Sequence, residues 1–400
     1  MRRHPQFFSK IFAGPAKPVS SAGFAARLAG CYAANFTFIG IQMPFFPLWL
    51  SSQGLDAGDI GLALALPMTM RIVSIPIVSW EADRRGTLRG VLILCVGTAA
   101  ILTALLGLGV GRAMIFILIG LYALAYSPTS PLLDAYALKG LAERGWSYGP
   151  VRLWGSAAFI LGNVGGGLVA EIIAPGHLIW LIVTALVLAT LSVFLLVPLS
   201  PDAVPRDAPV LRPSRLLRLP GVARVILAAS LIQASHAVFY GFSVLQWRSE
   251  GYDAGVVGLL WATGVAAEIV LFAFSGRIPP RVPPAFLICL GGAGAVLRWM
   301  LLAFDPGGPL LFAAQTLHAL SYAATYLGTV AFLMRVVPGG LVASAQGSLA
   351  IANGAVLALA TMLAGFLYES HGAGAYFAMA GFAACGIAVA LTLFRAPHAA

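Results

Sequence analysis

The chain has 400 residues, of which 60% are hydrophobic and only 10% charged, with a net charge of +10 and a mean hydropathy of +0.92. Soluble domains carry roughly 25% charged residues, so this composition excludes a soluble globular protein and points to a chain threaded repeatedly through a bilayer. The positive charge does not point to nucleic acid, because the basic residues are spaced between apolar runs and not gathered in one patch with aromatics.

Residues 1–22 are basic and broken by Pro5, Pro15 and Pro18, and read as a cytoplasmic tail without a cleaved signal. Twelve apolar runs then follow, each long enough to cross a bilayer as a helix: 23–50, 59–80, 88–110, 113–138, 147–172, 177–199, 222–247, 255–276, 284–304, 309–336, 340–368 and 374–394. The proline-rich stretch 200–221, with Arg206, Arg212, Arg215 and Arg218, divides them as a cytoplasmic linker. This predicts a bundle over 23–199, a second over 222–394 and a cytoplasmic tail from 395 to 400. With the N-terminus inside, nineteen basic residues fall in cytoplasmic segments and only Arg112 and Arg248 outside, which sets the orientation in an inner membrane with both termini cytoplasmic.

A repeat supports two parallel halves. Gly54-Leu55-Asp56-Ala57-Gly58-Asp59-Ile60-Gly61-Leu62 recurs as Gly251-Tyr252-Asp253-Ala254-Gly255-Val256-Val257-Gly258-Leu259, an offset of 251 − 54 = 197 residues. Six helices per half in the same orientation describe the all-α arrangement of the major facilitator fold, with a substrate site between the halves near the midplane.

Few ionisable groups lie inside the runs, and each is a functional candidate by default. Arg71 sits mid-run in the second helix, and 71 + 197 = 268 places Glu268 at the equivalent point of the eighth. The two are expected to attract one another across a cavity. Glu268 is a candidate for proton coupling, since a nearby cation and the access of water can switch its protonation; its other reading is a structural ion pair. Arg71 is a candidate anchor for an anionic substrate, because a guanidinium binds a carboxylate bidentately, or else a counter-charge for Glu268. Asp134 and Arg152 lie equidistant from the turn between helices four and five and are expected to pair, either at a ligand or as a staple. Gln233, His236 and Tyr240 on helix seven and Gln315, His318 and Tyr322 on helix ten share the pattern Gln-x-x-His-x-x-x-Tyr, which puts each trio on one helical face. They read as cavity or relay groups, or as satisfied interhelical contacts. Asn35, Thr37 and Gln42 on helix one give a weaker signal of the same kind.

Other features read as structure. Trp49, Trp80 and Trp247 are expected at the membrane interface, Asp56, Asp59 and Asp253 at helix starts, and Gly162, Gly165, Gly166 and Gly167 at close helix contacts. The four cysteines lie in apolar runs and read as packing residues. No nucleophile constellation or metal-ligand spacing is present, so no enzyme, cofactor or metal is expected, and the chain reads as a monomer.

Three sets of motifs resemble known families. Ser79-x-x-x-Asp83-Arg84-x-Gly86-x-x-Arg89 is similar to the loop motif between helices two and three of the major facilitator superfamily, which tethers the halves in the outward-open state. Phe45-Phe46-Pro47-Leu48-Trp49-Leu50 and Tyr148-Gly149-Pro150-Val151-Arg152-Leu153-Trp154-Gly155 resemble the lactose permease group, in which residues matching Asp134 and Arg152 contact sugar. Gln233-x-x-His236-Ala237-x-x-Tyr240-Gly241-Phe242-Ser243 and Gly258-x-Leu260-Trp261-x-x-Gly264-Val265-x-Ala267-Glu268 resemble the 3-phenylpropionate permease branch. That likeness implies a proton-coupled importer of an aromatic monocarboxylate; the candidates for proton coupling are Glu268, His318 and Asp134. Ser321 stands where the lactose permease group has its coupling glutamate, which shifts coupling toward Glu268. A sugar or nucleoside symporter, a drug or metabolite exporter and a membrane receptor or enzyme remain as alternatives.

Overall fold

The computed structural model describes residues 20–85, 87–199, 216–279, 281–337 and 342–395, and every regular element among them is helical. In chain order the first six spans are α1 (Ser21–Ser52), α2 (Ala57–Arg85), α3 (Leu88–Leu106), α4 in two pieces (Arg112–Tyr126 and Thr129–Ala142), α5 (Tyr148–Ile172) and α6 (Leu178–Phe194). The second six are α7 in two pieces (Val222–Ala234 and Ala237–Ser249), α8 (Ala254–Phe274), α9 (Pro284–Ala303), α10 (Gly308–Thr316 and Thr325–Val336, joined by a π turn over Ala319–Ala324), α11 (Val342–His371) and α12 (Ala375–Leu391). Eleven described segments are long and apolar enough to cross a bilayer, and the last of these, Ala345–Phe394, is 50 residues long. That is two crossings, because the chain turns at Gly372, whose positive φ of 53° ends α11. The twelve expected spans are therefore present, with α4, α7 and α10 each broken where one continuous run was expected.

Local chemistry explains the boundaries. Ser20 and Thr87 accept hydrogen bonds from the backbone N–H of Gly23 and Gly90, capping α1 and α3. Asp56 caps α2 by accepting from the Asp59 N–H at 2.7 Å, while Asp253 caps nothing and Asp59 pairs with Arg112. Gly54 and Gly251 both take left-handed φ, at 80° and 90°, so the repeat is a repeat of backbone shape as well as of sequence. The α4 break falls at Pro128, which has no N–H to continue the ladder.

The halves are α1–α6 and α7–α12. Since twelve crossings alternate, Ser20, Leu199, Leu216 and Arg395 all lie on one side, the linker side. On the opposite side the halves meet at glycines: a Cβ on Gly61 would stand 2.9 Å from the Thr361 carbonyl of α11, and one on Gly258 would overlap the Asn163 carbonyl of α5. Of the four α5 glycines expected at close contacts, Gly162 faces the α1 backbone, Gly166 faces Phe45 and Gly167 faces Ala254, while Gly165 meets nothing. The outer belt is apolar and exposed, for example at Leu161, Ile172 and Leu359, as a bilayer requires.

Two expectations need correction. Trp49 and Trp247 are buried, Trp49 stacked on Phe46 and Trp247 edge-on to Phe239, so packing within the bundle has claimed rings that were expected at the interface; Trp80 is exposed. All four cysteines are free, but Cys385 is exposed and packs in no core.

Candidate functional site

A cavity of about 250 Å³ lies between the halves, on the linker side of the α5–α8 glycine contacts. Its floor is aromatic, with Phe36 of α1, Phe159 of α5, Phe239 and Tyr240 of α7 and Trp261 of α8. Arg152 lines the N-terminal wall, and Glu268, His318 and Arg298 line the C-terminal one.

The C-terminal wall is a chain of polar contacts, hydrogen bonds from Arg298 and a close approach of His318 to Glu268. Arg298, fully buried on α9, places Nη1 at 2.9 Å from His318 Nδ1 and Nη2 at 2.7 Å from Gln315 Oε1. A guanidinium only donates, so His318 Nδ1 accepts and its proton is on Nε2. That Nε2 faces Glu268 Oε2 at 3.4 Å. Arg298 is also sandwiched by rings, 4.4 Å from the Phe239 centroid and 4.7 Å from Trp299. The π turn of α10 lies directly after His318, and such turns commonly mark functional sites.

His236 belongs to the layer behind. Its Nδ1 sits 3.1 Å from the Gln233 carbonyl and so donates, leaving Nε2 to meet Ser321 Oγ at 3.1 Å. The serine at the expected glutamate position is thereby used to fix a histidine. Gln233 donates weakly to the Tyr322 carbonyl at 3.4 Å. His236 and Gln233 are thus interhelical supports, whereas Tyr240, Tyr322 and His318 line the cavity.

The expected Asp134–Arg152 pair is not formed. Asp134 Oδ1 accepts from Tyr32 at 2.6 Å and from Tyr148 at 2.9 Å, which satisfies the carboxylate with hydroxyls from α1 and α5. Arg152 instead stands over Phe36, its Cζ 4.0 Å from the ring centroid, and lines the cavity. The expected Arg71–Glu268 contact is not formed either. Repeat mates lie on opposite sides of the pseudo-axis, so equal depth does not bring them together: the Arg71 side chain runs along α11 at Gly354, while Glu268 faces α10. Arg71 is not among the residues that line the cavity, whereas Arg152, Glu268 and Tyr322 are. Asn35 is buried within α1, donating to the Cys31 carbonyl. Arg89 Nη2 donates to the Phe194 carbonyl, joining α3 to α6, and the Asp83 and Arg84 side chains and Gly86 lie outside the described residues.

Sequence reasoning missed the aromatic walls and the two tyrosines on Asp134, and left Arg298 unassigned. Only Arg298 carried a signal, as a charge inside an apolar run.

The chain matches the model of the MFS_1 like family over residues 25–379. It is 30% identical over 356 residues to the "Probable 3-phenylpropionic acid transporter" of Escherichia coli (strain K12), covering 88% of this chain and 93% of that one. It is 24% identical over 371 residues to the maltose permease of Geobacillus stearothermophilus, covering 90% and 92%. Among solved structures, the nucleoside transporter NupG superposes with a TM-score of 0.80 at 16% identity, covering 93% of this chain and 98% of that one.

Proposed function

Because the chain belongs to the MFS_1 like family and is a transporter of the major facilitator fold, we propose that it imports an aromatic monocarboxylate together with a proton. The observation that carries this reading is a guanidinium, Arg152, laid on Phe36 and facing the Glu268–His318–Arg298 chain across an aromatic floor. Arg152 takes the carboxylate bidentately, and the rings hold the apolar body. The cavity volume is below the roughly 300–1,000 Å³ of drug-sized sites, which suits a one-ring solute better than a disaccharide.

Charge balance supports coupling. Arg152, Arg298 and Glu268 give the cavity 2 − 1 = +1 with His318 neutral, and one proton entering with one monocarboxylate leaves that sum unchanged. The loaded and empty carriers then reorient with the same charge. Glu268 is the proton acceptor, and His318, with its tautomer held by Arg298, is its relay partner. Arg71, which stands outside the cavity lining, receives the anion before Arg152 does. Asp134, satisfied by two hydroxyls, serves as a staple between α1, α4 and α5 rather than in coupling. The linker side is cytoplasmic in this reading, and the conformation is open inward.

The test is uptake into proteoliposomes across a panel of aromatic acids, sugars and nucleosides, with and without an inside-alkaline pH gradient. Gradient-driven accumulation of 3-phenylpropionate or a close analogue, without competition from sugars, is the expected result. Accumulation of a sugar or nucleoside that aromatic acids fail to inhibit would overturn it.

A further inference from the structure

A second cavity, of about 220 Å³, opens beside the first in the N-terminal half. The two are repeat copies. Met43 and Tyr240, which line both, are mates at 43 + 197 = 240. Leu64 of the second cavity is the mate of Trp261 in the first, at 64 + 197 = 261. Between α4 and α10 the offset is 196, so that Tyr122 and Tyr126 stand where the first cavity has His318 and Tyr322.

The copies have diverged in chemistry. The first holds two guanidiniums, a carboxyl and an imidazole, whereas no charged side chain lines the second among the described residues. Where His318 bonds Arg298, its mate Tyr122 only donates to Gln42 Oε1, at 3.2 Å. The Tyr126 hydroxyl is hidden from solvent, so Tyr126 offers the annex its ring and not its oxygen, and the lining is apolar apart from Gln42, Ser127, Thr361 and the other tyrosines.

Resting on the proposed transport of aromatic acids, we propose that this annex, which shares Met43 and Tyr240 with the first cavity, is the subsite for the far, uncharged end of the ligand, an aromatic ring. The charged copy of the repeat then handles the carboxylate and proton, and the uncharged copy selects the ring. An acid with its carboxyl directly on the ring stays in the first cavity, and one with a spacer reaches into the annex.

Binding of benzoate, 3-phenylpropionate and 3-(4-hydroxyphenyl)propionate to the purified full chain tests this. Leu64→Trp puts into the annex the side chain that its mate already carries, and is expected to weaken 3-(4-hydroxyphenyl)propionate at least about tenfold by denying burial of the ring, with benzoate nearly unchanged. Leu64→Ala, which enlarges the annex, provides the same reading if the tryptophan variant does not fold: affinity for 3-(2-naphthyl)propionate should rise relative to benzoate. Equal effects on all acids, or none, would overturn the subsite while leaving the aromatic-acid reading in place. A wild-type protein that binds none of them would overturn that reading, and this one with it.

Discussion

Arg152 and Arg71 are both guanidiniums near the cavity, and their surroundings separate their roles. Arg152 stacks on Phe36 and lines the cavity, whereas Arg71 lies against α11 at Gly354 and outside the cavity lining. Lysine keeps the charge but loses the planar fork and the stacking, so Arg152→Lys should raise KM for an aromatic acid about tenfold. Arg71→Lys should change it by no more than about twofold, and a reversed order in uptake kinetics would move the anchor to Arg71. Arg298 is a different case, because it is fully buried and its two hydrogen bonds satisfy His318 and Gln315. Arg298→Gln leaves Glu268 without its relayed counter-charge, and should cost about 3 kcal/mol of stability, read as a lower unfolding temperature in detergent. Glu268→Gln keeps the shape but cannot release a proton. It should abolish gradient-driven accumulation while sparing exchange of labelled for unlabelled substrate, and accumulation at the wild-type level would remove Glu268 from coupling.

At the scale of helices, two glycines of the same repeat do different work. Gly54 is needed for its φ of 80° and meets nothing within 4 Å, whereas Gly61 is needed because α11 passes where a Cβ would be. Gly54→Ala should therefore lower stability by about 1 kcal/mol and leave gating alone. Gly61→Val and its mate Gly258→Val should part the halves on the side opposite the linker, raising labelling of a cysteine placed in that seam and slowing uptake. The repeat that reveals this seam was legible in the sequence, as were the span boundaries, because hydropathy and glycine spacing record both. The helix breaks at Ser235 and through the π turn of α10 were not, since no proline marks either one. Facing was also hidden: with runs apolar all round, nothing distinguishes Phe36 or Trp261, which line the cavity, from a ring facing lipid. The repeat offset paired Arg71 with Glu268 as mates but did not give their partners, because symmetry relates residues to the axis and not to each other.

At the scale of the whole molecule, transport requires the closed side to open, so the contacts holding it must be weak enough to break in each cycle. One polar latch accompanies the glycine seam there. Glu171, at the end of α5, accepts from Arg248 of α7 at 2.8 Å and from the backbone N–H of Ala254 at 2.7 Å, so a carboxylate from one half caps the first turn of α8 in the other. Asp253 provides no such cap from within its own half. The ion pair is partly exposed and contributes only about 0–1 kcal/mol, while an anionic cap at a helix N-terminus adds a similar amount. Together they are large enough to bias a two-state equilibrium and small enough to leave it reversible. Glu171→Gln keeps an acceptor for Ala254 but loses the charge, and should shift the population toward opening about threefold to fivefold. Spin labels across the seam between α5 and α8 would report a larger long-distance fraction in the variant. High salt should produce the same shift in the wild type and none in Glu171→Gln, because screening acts on the charge alone. Equal salt sensitivity in both would assign the bias to the glycine packing.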